Sequence, residues 1–266
     1  MALLFVFEED RDCGGVLASA RVVASTAGWP VRVLHVLHGA DGAADVVRGE
    51  LSGDVEVVDL GGDPPAEILA AARADDVSVV ASCAAGIVCA HHGKLAERLL
   101  RDSASSLLIG GPRARPITRV ERVLVPLEGS PSSSEAMRRA EEYFCAPGRE
   151  IVALHVATAD TPREPGSLPA PRFIDQQQYD WPSWSEEFAA RFFSSQCRHN
   201  GTHRLIVRVG EPREIVHQEA VELGADVVVA AWNQRLAENH CERVEAFLEE
   251  APCPLLLVPA LATSPI

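Results

Sequence analysis

The sequence predicts an α/β protein built from two tandem open parallel sheets, five strands in each, with helices on both faces. Three observations carry this. The chain repeats itself: VRVLHV (31–36) and IVALHV (151–156) are β-branched runs that close on a histidine, and GDPPAEILAAARADDVSVVAS (62–82) has its counterpart in GEPREIVHQEAVELGADVVVAAW (210–232). The spacing of the copies changes once, from 120 for the histidines (35 and 155) to 148 for the Gly-acid-Pro turns (62 and 210) and 150 for the aspartates (76 and 226). That step places an insertion in the second copy between the histidine strand and the Gly-Glu-Pro turn, and two repeats of this length indicate a duplicated domain rather than an array. Last, short apolar runs alternate with helical patterns throughout, the order that right-handed β-α-β crossovers produce.

The elements follow in order. In the first half the strands are ALLFVF (2–7), VRVLHV (31–36), VEVVDL (55–60), VSVVAS (77–82) and SLLIG (106–110), with helices over 14–27, 65–74 and 93–102. GPRARPITRVE (111–121), rich in Pro, Gly and Arg, suits an exposed connection between the halves. RVLVPL (122–127) has the near-continuous apolar character of a strand covered on both faces. Ser132 and Glu135 form a capping-box pattern for a helix reaching Cys145. Pro147-Gly148 breaks the chain before strand 151–156, and TPREPGSLPAPRF (161–173) is too rich in Pro and Gly for regular structure. Trp184, Phe188 and Phe192 have helical spacing within 184–197; strand 203–210, helix 212–223, strand 225–231, helix 236–250 and strand 254–259 complete the half.

Composition bounds the function. A chain of 266 residues that is 47% hydrophobic can bury two cores. A net charge of −14 with a single lysine, Lys94, argues against a nucleic-acid partner, which needs clustered basic residues. The opening MALLFVFEEDR has no basic leader and its apolar run is too short to span a bilayer, so a cytoplasmic protein without a membrane partner is expected. Seven cysteines without a C-x-x-C pair are expected to be reduced, mostly buried thiols.

VPLEGSPSSSEAMRRA (125–140), VGEPREI (209–215), ELGADVVVAAW (222–232) and RVEAFLEEAPCPLLLVP (243–259) resemble the successive blocks of universal stress protein domains. The first half resembles a worn second copy, so the whole chain is similar to a tandem universal stress protein, with a degenerate domain at 1–112 and a second at 119–262. The resemblance implies five parallel strands per half in an adenine-nucleotide alpha hydrolase-like, doubly wound arrangement. It also implies that the last strands of the two halves pair antiparallel, giving an internal pseudo-dimer, and leaves a homodimer of chains open. Pairing of 106–110 with 254–259 has a physical reason as well, since both are apolar edges that would otherwise expose unpaired backbone groups.

Many members of the family bind ATP through a glycine-rich segment after the fourth strand, where backbone amides approach the phosphates. Here no glycine follows Gly224, and Cys241-Glu242 fall near the place of the expected Gly-Ser. The first half keeps only Gly86 and Gly93-Lys94, and Glu8, Glu9 and Asp10 crowd the end of its first strand. The expectation is a non-enzymatic stress-response or signalling module that acts through contacts with a protein partner and has no cofactor. An ATP- or AMP-binding member with a divergent loop and slow ATP hydrolysis, or a binder of another small ligand, stands as the alternative. The candidate ligand-crevice positions are Glu128, Gly129, Ser130, His155, Gly86, Gly93 and Lys94, with no catalytic set.

Other clusters have plainer readings. Cys83, Cys89, His91 and His92 are four soft ligands at a spacing that matches no zinc pattern, and a degenerated phosphate loop explains them; Cys197, His199 and His203 form a looser trio of the same kind. His35 and His155 hold equivalent strand positions, where a histidine held by one hydrogen bond is the simpler expectation than a ligand contact. Ser130 lacks the Gly-x-Ser-x-Gly elbow of a hydrolase. Trp181 and Trp184, in the insertion, fit a partner-binding patch or a cap on the core equally well.

Overall fold

The computed structural model of the chain describes residues 1–8, 14–36, 56–60, 64–73, 77–83, 99, 102–127, 131–157, 202–232 and 248–259. The described residues form ten strands: β1 Ala2–Glu8, β2 Val31–Val36, β3 Glu56–Leu60, β4 Val77–Cys83, β5 Ser106–Gly110, β6 Arg122–Leu127, β7 Glu150–Ala157, β8 Thr202–Val209, β9 Val227–Trp232 and β10 Leu255–Pro259. The helices are α1 Gly14–Ala27, α2 Pro64–Ala72, α3 Pro131–Phe144 and α4 Pro212–Glu222, and residues 248–250 are also helical.

The strands form one sheet in the order β3-β2-β1-β4-β5-β10-β9-β6-β7-β8. All pairs within each half are parallel, and the single antiparallel junction is β5 with β10. The two five-strand orders are mirror sequences of one unit, and the expected pairing of 106–110 with 254–259 is the seam. In that seam Leu255 faces Ile109, Leu256 faces Leu108 and Leu257 faces Leu107. Leu108 and Leu256 are themselves counterparts, 148 apart, so this pair lies on an internal pseudo-twofold axis. Both are fully buried, as expected of a self-complementary, isologous contact built within one chain.

Register shows how the copies correspond. His35 pairs with Phe7 and His155 with Leu127, which keeps the 120 spacing through β1/β6 and β2/β7. From β3 onward the spacing is 148: Leu3 pairs with Val79 as Val123 pairs with Val227, and Val80 pairs with Leu107 as Val228 pairs with Leu255. The step therefore lies between β7 and β8. β1 and β4 slip register between Ala2 and Leu3, and at the 148 spacing Asp226 corresponds to Ser78; Asp76 lies outside the described residues.

Alternation along the strands feeds two cores. One face joins α1 and α3 through Leu3, Phe5, Ala20, Val23, Val123, Val125, Met137, Ala140 and Phe144; the other joins α2 and α4 through Leu4, Ile68, Leu69, Leu124, Val228, Val216 and Ala220. Trp29 and Tyr143 stack edge-to-face at 4.7 Å between centroids, linking the halves on the first face. Gly28 and Gly148, again 120 apart, both adopt positive φ (70° and 79°) before β2 and β7, a conformation that glycine enters without Cβ strain. At Gly111 a Cβ would stand 1.9 Å from the Leu248 carbonyl oxygen, so only glycine fits where the first half leaves the sheet.

Two expected boundaries move. The helix after β6 opens at Pro131, whose fixed φ suits the first helical position, so Ser132 is already inside it. Glu135 does not complete a capping box: its carboxylate accepts from Arg138 (2.6 and 2.7 Å) and Arg139 (3.0 Å), three and four residues on. β9 starts at Val227 rather than 225, because Asp226 turns its carboxylate to the backbone N–H groups of Glu121 (2.8 Å) and Arg122 (2.9 Å). The cysteine expectation is also corrected. Cys145 is disulfide-bonded, whereas Cys253 is a free, buried thiol.

Candidate functional site

In a doubly wound sheet the crevice lies at the carboxyl ends of the strands where the order reverses, which is between β1 and β4 in the first half and between β6 and β9 in the second. Each pair of strands parts before its end. The β1–β4 ladder runs to Phe5↔Ala81, leaving 6–8 beyond it, and the β6–β9 ladder stops at Leu124↔Val228, leaving 125–127 beyond it. Pro126 supplies the reason for the earlier parting in the second half: it has no N–H to give a ladder, and its counterpart in β1 is Val6.

His155 is the one expected site residue inside the described set. It is buried at 7% exposure, and its Nδ1 lies 2.9 Å from the Leu127 carbonyl oxygen. A carbonyl only accepts, so Nδ1 carries the hydrogen, and the ring pins the end of β6 one residue before Glu128. This is the hydrogen-bonded strand histidine that the sequence favoured. His35 takes the corresponding place in β2 by register. Glu8 ends β1, and Glu128, 120 residues later, is the residue next in sequence after β6 and lies outside the described residues.

The remaining expected positions, Glu128, Gly129, Ser130, Gly86, Gly93 and Lys94, lie outside the described residues, as do Glu9, Asp10, Cys89, His91, His92, Trp181, Trp184, Cys197, His199, Cys241 and Glu242. Of the loose trio, His203 is on β8, its Nε2 3.1 Å from Glu141 Oε1 of α3 with both side chains nearly enclosed. Among the described residues no group of three His, Cys, Asp or Glu could hold a metal ion. None of their helices is long and apolar enough to cross a membrane.

Two residues near the second crevice escaped the sequence reading. Ser133 is buried (3% exposed) in the first turn of α3, on the inward stripe it shares with Ala136, Met137 and Ala140. Its i, i+3, i+4, i+7 spacing with those residues was the available signal. Trp232 closes β9 and is buried at 5% exposure among the residues of the second core, opposite Pro259.

Cys253 sits in the Ala-Pro-Cys-Pro turn that precedes β10. Burial pushes its thiol up to about 12, so it is a packing group and not a nucleophile.

No curated protein sequence matches the chain. Among solved structures, a universal stress protein from Archaeoglobus fulgidus DSM 4304 superposes with a TM-score of 0.64 at 15% identity, covering 98% of this chain and 97% of that one. A functionally unknown protein, PA1789, from Pseudomonas aeruginosa PAO1 gives 0.56 at 13% identity, with 97% and 92% covered. A universal stress protein in complex with cAMP gives 0.38 at 18% identity, with 54% and 98% covered. These likenesses concern the fold. The model of the Universal stress protein family matches residues 119–259, more than half of the 266 residues, and the chain belongs to that family.

Proposed function

We propose that this universal stress protein is a non-enzymatic stress-response or signalling module of the cytoplasm that acts through protein contacts and has lost the family's ATP motif. One observation carries the reading. The connection from β9 (ending at Trp232) to β10 (starting at Leu255) contains no glycine, although it is the segment whose backbone amides would have to close on a phosphate. Glutamates that in sequence end or directly follow the first strand of each half, Glu8 and Glu128, are of the wrong sign for a polyphosphate, which disfavours the ligand beyond the missing contacts. The pseudo-twofold seam supports a chain that completes its pairing internally, while the outer edges at β3 and β8 leave room for a homodimer or another protein partner.

The second reading is a nucleotide or other small-ligand site. It is favoured by the opening of the sheet at both switch points, with Gly86, Gly93 and Lys94 serving the first half and Glu128, Gly129, Ser130 and His155 the second. Titration calorimetry of the full chain with ATP and magnesium separates the two. The expected outcome is no binding tighter than about 1 mM, roughly −4 kcal/mol. Micromolar binding that is lost in Lys94→Gln would move the function to the nucleotide reading.

A further inference from the structure

Arginines gather where the connection between the halves meets the amino ends of the second-half strands. Arg115 Nη2 donates to the carbonyl oxygens of Gly224 (2.8 Å) and Ala225 (2.9 Å) and lies 3.5 Å from Asp226, whose carboxylate also takes the N–H groups of Glu121 and Arg122. Arg122 Nη1 donates to the Leu223 carbonyl oxygen (2.7 Å), and its Nε stands 3.5 Å from Glu150. Arg204, on the neighbouring strand β8, shares Glu150 at 3.1 Å, and Arg119 pairs with Glu121 at 3.0 Å. These contacts join into one surface. Arg113, two residues before Arg115, and Arg149, beside Glu150, make no ion pair among the described residues. Six guanidiniums therefore stand against three carboxylates, Glu121, Glu150 and Asp226, which leaves +3 at one end of the second half of a chain whose net charge is −14.

The four paired arginines, Arg115, Arg119, Arg122 and Arg204, have side chains 45 to 73% exposed. Ion pairs in such places are worth about 1 kcal/mol or less, so an incoming carboxylate competes for them at little cost. The fold itself asks for no positive charge there. By the 120 and 148 spacings, Arg122, Glu150, Arg204 and Asp226 correspond to Ala2, Pro30, Glu56 and Ser78 of the first half.

We propose that this arginine surface docks a short acidic segment of a partner protein. The inference rests on the reading that the chain acts through protein contacts, and it gives one such contact a place. Guanidiniums hold carboxylates by paired, charge-assisted hydrogen bonds, and a positive surface on an acidic molecule selects an acidic partner. The strands β9-β6-β7-β8 span three spacings, about 14 Å at ~4.8 Å each, which matches roughly four extended residues. A long nucleic acid would run past the surface into the field of an acidic protein, and a second copy of the chain would bring its own −14 to the contact. The crevice of the second half lies at the carboxyl ends of the same strands, so this surface is a separate site.

The test measures fluorescence anisotropy of a labelled hexaglutamate peptide titrated with the full chain at low ionic strength. The expected dissociation constant is below about 1 mM, rising with added salt and by roughly tenfold or more in Arg113→Glu/Arg149→Glu. Arg119→Glu, at the most exposed of the paired positions, should weaken binding in the same direction, and thermal unfolding checks that each variant is folded. Arg73→Glu/Arg213→Glu makes the same charge change at the opposite end of the sheet and should bind as the wild type does. No hexaglutamate binding, or equal weakening in the two double variants, overturns the proposal. Tighter binding of a short oligothymidylate overturns it in favour of nucleic acid, and self-association in sedimentation that Arg113→Glu/Arg149→Glu abolishes overturns it in favour of a second copy. Titration with ATP keeps the two failures apart: micromolar ATP binding lost in Lys94→Gln refutes the loss of the nucleotide site, whereas absent hexaglutamate binding with ATP also unbound refutes this surface alone.

Discussion

Where β8 meets α4 the second half places Arg208 against Glu219, and 148 residues earlier the first half has Leu60 and Ala71 at the corresponding places on β3 and α2. Glu219 is buried at 2% exposure and accepts from Arg208 Nε, whose side chain is about half exposed. The second copy thus has an ion pair at this corner, and the first copy has no charged residue at either corresponding position of the sequence. The fold does not require the charges, in keeping with the general finding that apolar replacements of a buried pair are often neutral while removal of one partner is costly. A second contrast runs the same way. Ser105 lies 2.9 Å from the carbonyl oxygens of both Ala72 and Val77, and its counterpart is Cys253, buried against Val228 in a half where the Ala225 N–H already serves the Ala220 carbonyl at 2.9 Å. Polar groups vary between the copies; the strand order, the seam and the left-handed glycines before β2 and β7 do not.

The largest expected effect strikes what the copies share. Leu256→Pro removes a donor from a central strand at the pseudo-twofold axis, and Leu108→Pro does the same from the other side. Each should cost about 3 kcal/mol or more in chemical denaturation. A loss confined to one of the two would break the equivalence. Next comes the corner. Arg208→Leu should cost about 2 kcal/mol, below the roughly 3–5 kcal/mol of a fully enclosed pair because Arg208 is half exposed. Adding Glu219→Ala, which rebuilds the first-half corner, should recover most of that loss in urea midpoints. A double variant no more stable than the single would show that the ion pair is required.

Gly28→Ala and Gly148→Ala should each cost about 1 kcal/mol, equal within error in thermal unfolding, since both hold left-handed φ after a helix in corresponding turns. The smallest effect belongs to the second half alone. The Arg138 guanidinium hydrogen-bonded to Glu135 holds its carboxyl below the usual carboxylate range. A depressed carboxylate contributes stability that is present above its unfolded pKa and lost as pH falls through its folded pKa. Glu135→Gln should therefore cost roughly 0.5 kcal/mol at neutral pH, and the difference from wild type should vanish in acid. A gap that persists at low pH would assign the loss to packing.

The alternation of strands with helical patterns carried the architecture because each half-sheet is buried on both faces, which writes long apolar runs such as those of β6 and β10. The antiparallel seam was legible for the complementary reason that two apolar terminal strands need a partner. Tertiary chemistry hid the rest. Glu135 looked like a cap residue until Arg138 and Arg139 claimed it, and Asp226 looked like the start of a strand until its carboxylate closed on the β6 entry. The register slip of β1 against β4 was hidden because a slip leaves no trace in composition. Cys145 could not be told from a buried thiol, because seven cysteines without a C-x-x-C pair do not write a pairing into the sequence. The hydrogen-bonded place of His155 was legible in its strand, and the parting of β6 from β9 at Pro126 was not, because a single proline near a strand end has meaning only against the ladder it interrupts.

The proposed loss of the phosphate-binding motif in both copies is tested most directly by nucleotide content. Protein purified without added nucleotide is heat-denatured, and the released adenine nucleotides are quantified against the protein by ion-pair chromatography. On that proposal the expected yield is far below one nucleotide per chain. A yield near one or two per chain, one for each switch point, would contradict it.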